Sequence, residues 1–310
     1  MVELGTIAAW TNLGLMSPAE CAAAAHRVEA LGYSMLWYPT GVCDDPLLRA
    51  ATMLGSTTSL QVATGIACIY DYPARTTANA QRVLFDASDG RFLLGLGLSH
   101  PEAVVRARRA GYGPPVSTMR AYLAEMDAVI AEVDATLSAV GGERASLMMA
   151  QPRVIAALGP RMLELAQQSC AGAHPYLVPP DHTRQAREML GPDTWLCVEQ
   201  KVVLESDASR ARSVARRGLA LYLGLENYLN SWRRMGFDDD DFADHGSDRL
   251  VDTLVAWGDE DAIRRRLDEH LAAGATQICV QAIPVVDRPD ETINWPVLEV
   301  VADLYSLRGP

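Results

Sequence analysis

Apolar runs with no polar alternation recur along the chain, each followed by a helix-start signal and then by a glycine. Leu4–Ala9, Ser34–Tyr38, Leu60–Ile66 and Phe92–Leu96 read as four strands in the first half, and Arg153–Leu158, Ala173–Val178, Trp195–Leu204 and Thr276–Ile283 as four more in the second. Strands without a polar face belong to a parallel sheet covered on both sides. Between them, Ser17-Pro18-Ala19-Glu20 combines an N-cap serine, a proline at N1 and a glutamate at N3, the signature of a helix start. Asp45-Pro46, Pro73, Gly159-Pro160, Pro179-Pro180-Asp181 and Asp259 open further helices, and Gly32, Gly90, Gly172, Gly191 and Gly274 close them. Eight strand–helix units in one chain predict an α/β fold, a (β/α)8 TIM barrel forming a single domain over residues 1–310. The competing arrangement is an open, doubly wound sheet.

Two units are enlarged. The insertion between strands four and five, Pro101–Met149, holds a predicted helix from Thr118 to about Val140. The insertion between strands seven and eight, Asp207–Trp257, reads as helices over about Ala208–Arg234 and Ser247–Trp257, with a further helix Asp259–Ala273 behind it. Excursions of this kind on a barrel form lids or oligomer contacts.

Composition narrows the class. Hydrophobic residues are 49% of the 310, and the formal net charge is −12. That balance argues against nucleic acid or an anionic membrane as the main partner. No apolar run reaches a membrane span, and the start of the chain lacks a basic segment followed by an apolar one, so a cytoplasmic protein is expected. Cys21, Cys43, Cys68, Cys170, Cys197 and Cys279 form no CxxC pair and read as reduced thiols, with no metal site.

Gly90-Arg91-Phe92-Leu93-Leu94-Gly95-Leu96-Gly97-Leu98-Ser99-His100 carries the densest signal. Two late glycines mark a close backbone approach or room for a bulky ligand, and His100 stands at the strand mouth. As a dinucleotide fingerprint the segment fails, because His100 replaces the last glycine. Thr64-Gly65 late in strand three suggests a bulge. Leu158-Gly159-Pro160-Arg161 places a helix N-terminus and a guanidinium at a strand end, which suits a phosphate. His174, alone in an apolar strand, reads first as a core residue, His26 and His270 carry no signal, and Asp238–Asp241 reads as a solvated loop or a helix cap rather than a cation site.

Taken together, the glycine-rich fourth strand, the Thr64-Gly65-Ile66 strand end, Ala156–Leu163, Ala173-His174-Pro175-Tyr176 and Gly246–Asp252 resemble the bacterial luciferase-like monooxygenase family. The similarity is closer to its actinobacterial oxidoreductases that use the deazaflavin coenzyme F420, and it spans nearly the whole chain. The resemblance implies a barrel, a homodimer, a small organic substrate and hydride transfer to or from F420. FMN, with oxygen chemistry, is the alternative cofactor. A barrel that binds cofactor without catalysis is the alternative of another class. It further implies a non-proline cis peptide at Thr64-Gly65 or, in preference, at Gly65-Ile66. The cofactor ring would lie against the strand-three bulge at Thr64, Gly65 and Ile66, its tail near Gly97, Leu98 and Ser99, and its phosphate at Leu158, Gly159, Pro160 and Arg161; Trp37, Ala67, Ala157 and His174 are further cofactor-binding candidates. The chain departs from the pattern at Trp37-Tyr38-Pro39-Thr40, which lacks the acidic residue and histidine of the sugar-phosphate dehydrogenases, and Thr40 stands where closer relatives often have glutamate. Asp44, Asp45, Tyr70, Asp71 and His100 remain as polar candidates, and His100 is the expected acid–base residue.

Overall fold

The computed structural model describes residues 4–41, 45–108, 111–140, 151–283 and 293–308; Cys43, Asp44 and the end of the first insertion lie outside them. Eight parallel strands close a barrel. In chain order they are β1 (Ile7–Trp10), β2 (Met35–Tyr38), β3 (Gln61–Thr64) with its short continuation β4 (Ala67–Cys68), β5 (Phe92–Gly97), β6 (Arg153–Ile155), β7 (Gly172–Ala173), β8 (Trp195–Leu204) and, after an additional strand β9 (Val255–Gly258), β10 (Gln277–Ala282). Closure is made by β10, which pairs with β8 (Gln277 opposite Cys197) and with β1 (Ile278 opposite Ile7). The barrel expected from the sequence is therefore present, and the open sheet is excluded.

Local chemistry explains the helices around it. In α1 (Pro18–Ala30) Ser17 and Glu20 form the reciprocal capping box. Asp45 accepts from the amides of Leu47 and Leu48 at the head of α2 (Pro46–Ser56). After α3 (Ala74–Ala87), Gly90 turns the chain with a φ of 83°, a conformation that costs glycine little. The first insertion contains α4 (Pro101–Arg108) and α5 (Pro115–Val140). Next come α6 (Pro160–Ser169) and α7 (Pro180–Leu190).

The second insertion differs from the sequence expectation. The predicted helix over Ala208–Arg234 is two helices, α8 (Ala208–Leu219) and α9 (Glu226–Arg234), separated by a 3-10 turn at Tyr222–Gly224. Gly224, a poor helix former, sits in the break. A four-residue helix, α10 (Asp239–Phe242), begins at Asp238 in a capping box, so the acidic run is a helix cap, as expected. The predicted helix Ser247–Trp257 stops at Leu254 as α11 (Asp248–Leu254), and Val255–Gly258 then becomes β9, pairing with Lys201–Leu204 of β8. Strand pairing with β8 overrides the local helical pattern there. The long α12 (Glu260–Ala272) is capped by Asp259, and α13 (Trp295–Leu304) ends the described fold. β7 is also shorter than Ala173–Val178: Pro175 has no amide to give a ladder, and Leu177 turns left-handed with a φ of 55°. Gly172, read as a helix stop, is instead in β7, where a Cβ would sit 2.3 Å from the Trp195 carbonyl oxygen.

Strand alternation divides the core in two. Ile7, Ala9, Leu36, Val62, Phe92, Leu94, Ile155, Leu196, Val198, Ile278 and Val280 face the helices. Ala8, Trp10, Met35, Trp37, Ala63, Leu93, Val154, Cys197 and Cys279 fill the barrel. The same alternation carries Glu199 and Lys201 of β8 inward, above Cys197 and toward the C-terminal mouth. The insertion builds its own apolar cluster around Leu177, Val203, Leu225, Tyr228 and Trp232, and so covers that mouth. No helix among the described residues is long and apolar enough to cross a membrane.

Candidate functional site

The irregularity in strand three is held from both sides. Thr64 Oγ1 donates to the Gly95 carbonyl (2.7 Å) and accepts from the Gly95 amide (2.8 Å). The next bond, Gly65–Ile66, is cis, at the preferred of the two expected positions. Thr40 donates to the Ile66 carbonyl through both its amide (3.1 Å) and its hydroxyl (3.0 Å). Thr40, the departure from the relatives' glutamate, thus braces the bulge. The glycines of β5 are also accounted for. A Cβ on Gly95 would lie 1.9 Å from the Thr64 carbonyl oxygen, and one on Gly97 would lie 2.6 and 2.7 Å from Ile66 Cγ1 and Cδ1. The sequence reading assigned that space to a cofactor tail. In the structure the backbone of strand three and the Ile66 side chain occupy it, because the bulge has to seat somewhere.

Inside the barrel the bulge meets aromatic rings. A Cβ on Gly65 would approach Trp10 Nε1 to 2.8 Å, His174 Nε2 to 3.1 Å and Trp37 Cε3 to 3.3 Å. Trp37 stacks on His174 at 4.5 Å with 12° between the planes, and its indole N–H donates to Gln277. His174 Nδ1 lies 2.8 Å from the Cys197 carbonyl. A carbonyl only accepts, so Nδ1 carries the proton and Nε2 presents a lone pair. Burial holds His174 in this neutral form, with its pKa lowered to about 4. Both His174 Nε2 and Trp10 Nε1 are buried without a partner. An acceptor and a donor left unsatisfied against a glycine are what a polar ring edge can satisfy.

Next along the mouth is the predicted phosphate corner. A Cβ on Gly97 would also lie 3.4 Å from Ala156 Cβ, the Ala156 amide donates to the Leu96 carbonyl, and Gly159 follows three residues on. Ala157 is buried, while Pro160 and Arg161 are exposed at the start of α6. Gly159 caps that helix without a side-chain hydrogen bond, and the amide that follows Pro160 has no intrahelical acceptor. Arg234, at the end of α9, brings Nη2 to 3.4 Å from the Leu158 carbonyl and 3.6 Å from where a Gly159 Cβ would stand. No local motif links Arg234, in the second insertion, to this corner.

A second polar group at the mouth also escaped the sequence reading. Lys201 donates to the Tyr176 hydroxyl (2.7 Å) and to Gln281 Oε1 (2.7 Å), with Glu199 Oε1 at 3.8 Å. Tyr222 donates to the same Tyr176 oxygen (2.9 Å), and Tyr176 packs on Trp10 at 5.5 Å. Glu199 is fully buried and Lys201 is 2% exposed. Burial pushes the Glu199 carboxyl up, with Lys201 and the Leu177 amide opposing. Two opposite charges at i and i+2 inside an apolar strand were visible in Trp195–Leu204, and Lys201 is the single lysine among 27 basic residues.

The comparison that decides the family comes from sequence. The profile described as Luciferase-like monooxygenase matches residues 1–277. The chain belongs to the luciferase-like monooxygenase family. A Mycobacterium tuberculosis protein named "Putative coenzyme F420-dependent oxidoreductase Rv3520c" is 25% identical, covering 87% of this chain and 92% of its own length. The 5,10-methylenetetrahydromethanopterin reductase of Methanolobus tindarius is 24% identical over 89% of this chain and 94% of its own. Among solved structures, an F420-dependent secondary alcohol dehydrogenase bound to an F420–acetone adduct superposes with a TM-score of 0.70 at 11% identity, over 99% and 100% of the two chains. The oxygenating component of a Pseudomonas putida 3,6-diketocamphane monooxygenase, in complex with FMN, superposes at 0.67 with 16% identity, over 97% of each. At these identities the two superpositions establish the fold.

In this luciferase-like barrel the structure brings Trp37, Gly65 and His174 into contact, joins Thr64 to Gly95, and seats Ile66 on Gly97. Ala67 is buried in β4, paired with Leu96, and Leu98 is buried beyond β5. Ser99 turns left-handed with a φ of 58°, and His100 follows at the head of α4, its Nδ1 buried without a partner. There the His100 ring meets Tyr228 of α9 at 5.8 Å and bonds Asn227. Burial lowers its pKa, with the Asn227 bond opposing. Asp45 is spent on its cap, and Tyr70 accepts from the Gly113 amide in the first insertion. The chain is an oxidoreductase of the flavin- or deazaflavin-dependent, luciferase-like type.

Proposed function

We propose that this protein transfers a hydride between coenzyme F420 and a small organic substrate. The observation that carries the reading is the pairing of relatives named for F420 chemistry over almost the whole chain with a bulge that presents an unpartnered acceptor and donor at its face. A bound deazaflavin would supply the carbon that gives or takes the hydride, and the protein supplies orientation and proton management. Trp37, Thr64, Gly65, Ile66 and Ala67 would seat the ring, with His174 Nε2 and Trp10 Nε1 meeting its polar edge. Gly97, Leu98 and Ser99 would border the tail. Ala157, Leu158, Gly159, Pro160 and Arg161 would take the phosphate at the head of α6, where the Arg161 amide and the helix dipole favour an anion, and Arg234 adds charge. His100 stands at the rim as an acid–base group able to exchange with solvent. The reading also includes one domain over residues 1–310, a homodimer and a cytoplasmic setting.

Fluorescence titration with F420 and with FMN, each oxidised and reduced, tests it. F420 is expected to bind below about 10 µM and at least about tenfold more tightly than FMN. The reverse preference supports the oxygen-using alternative, and binding without turnover across a panel of alcohols and carbonyl compounds supports a non-catalytic carrier. Failure of both cofactors to bind at about 50 µM sinks the proposal.

A further inference from the structure

The chain contains 26 arginines and one lysine. Apart from the Lys201–Glu199 contact, every ion pair found among the described residues uses arginine. A cation needed only for charge is therefore supplied by arginine in this protein. The single lysine stands at one of the most buried polar positions in the molecule, bonded to a phenol. Arginine cannot release its proton in a protein, whereas a buried lysine can. The cluster also carries its own carboxylate, so it is poorly suited to receiving an anion from outside.

We propose that Lys201 is a second acid–base group, deeper in the barrel mouth than the rim residue His100: its amine exchanges a proton with the Tyr176 hydroxyl, which exchanges one with the substrate heteroatom next to the carbon that gives or takes the hydride. This rests on the hydride-transfer reading. In the oxidative direction the substrate C–H bond breaks and its electron pair leaves as hydride to the oxidised deazaflavin. The O–H or N–H bond breaks as well, and its proton passes to the Tyr176 oxygen. The proton already on Tyr176, which is donated to Gln281 Oε1 at 2.7 Å, turns to the neutral Lys201 amine and moves to it, and a carbonyl or imine remains. Reduction runs the same transfers backwards.

The surroundings suit each role. Burial lowers the Lys201 ammonium to about 8, with Glu199 pulling the other way. Burial raises Tyr176 well above the ordinary phenol range, so it stays a protonated carrier. The groups facing the amine are Glu199 from its own strand, Tyr176 beyond β7, Gln281 from β10 and Tyr222 from the 3-10 turn, with Tyr228 of α9 behind them. Gly218 of α8 covers the lysine stem. Glu199 is a positioning residue: its Oε2 accepts from the Leu177 amide at 2.9 Å and holds the left-handed turn that follows Tyr176. Trp10 links the cluster to the bulge, since its ring touches Tyr176 and its N–H faces Gly65.

Because there is one lysine, labelling with [ζ-15N]lysine gives a single side-chain signal. That signal is expected to titrate from ammonium to amine near pH 8, well below the ordinary lysine value of about 10.4, and to match one limb of the turnover pH profile. Lys201→Arg and Tyr176→Phe are expected to bind F420 within about 3-fold of wild type and to lose about 100-fold or more in kcat. Tyr176→Phe removes one hydroxyl and covers the case in which the lysine variant does not fold. A signal that stays ammonium beyond about pH 10, or a Lys201→Arg protein that turns over within about 3-fold of wild type, overturns the proposal. A wild-type protein that binds no F420 overturns the hydride-transfer reading instead, and the 15N titration still decides whether the amine exchanges its proton.

Discussion

Gly95→Ala is expected to cost at least about 3 kcal/mol, the upper end for forcing extra volume into a packed core, and to lower Tm by roughly 5 °C or more. The added carbon would stand 1.9 Å from the Thr64 carbonyl oxygen. Backbone is on both sides of that contact, so no rotamer relieves it. Separating β3 from β5 would, but it breaks the two hydrogen bonds that Thr64 Oγ1 makes to Gly95. Gly97→Ala makes the informative contrast. Its close neighbours are the outer carbons of Ile66, 2.6 and 2.7 Å away, and those can rotate. A loss of about 1 kcal/mol is expected there, together with weaker cofactor binding, because Ile66 is displaced from the bulge. Thermal melts of the two variants check the ordering. Equal Tm values would mean that β5 does not approach strand three as described.

Acid is expected to destabilise the protein well above the carboxylate range. His174 and His270 are buried and neutral, with their pKa values lowered to about 4 and about 3, first by burial. His270 Nε2 donates to Gln200 Oε1 at 2.9 Å and its Nδ1 accepts from Thr183 at 2.8 Å, so a second proton would reverse the Thr183 bond and place a charge in an apolar setting. In the unfolded chain both rings take a proton near pH 6.5. Between that value and the folded ones the unfolded state binds more protons, so stability is complete above about pH 6.5 and falls as pH falls. Two groups over two pH units come to about 5 kcal/mol between pH 6.5 and 4.5, comparable to the whole stability of many domains. Denaturant melts across that window measure it. A stability that stays flat from about pH 6.5 to 4.5 would place both rings in a wetter setting than the barrel provides.

What the sequence revealed and what it hid divide along physical lines. Helix starts were legible where the signal is local: Ser17 with Glu20, Asp45 and Asp259 all cap as their spacing requires. The barrel strands were legible because burial on both faces leaves uniform apolar runs. Val255–Gly258 was hidden, since its strand state comes from pairing with β8, more than fifty residues earlier in the chain. The glycines of β5 showed that space was needed, but only the fold shows that Thr64 and Ile66 fill it. His100 follows β5 as its place in the sequence suggests, but its neighbours Tyr228 and Asn227 come from an insertion more than a hundred residues later. Lys201 was in plain view. A strand read only for hydrophobicity passed over a Glu–Lys pair that hydrophobicity does not explain, and no local pattern could bring Tyr176, Tyr222 and Gln281 to it.

A cofactor ring against the Gly65–Ile66 bulge, with its phosphate at the head of α6, is the placement on which the proposed hydride transfer depends. A crystal structure with F420 bound measures this directly. The predicted result has the ring bordered by Trp37, His174 and Ile66, His174 Nε2 and Trp10 Nε1 no longer unpartnered, and the phosphate within hydrogen-bond reach of the amides after Gly159. A ring bound outside the barrel mouth, or a phosphate remote from Gly159 and Arg161, would contradict it.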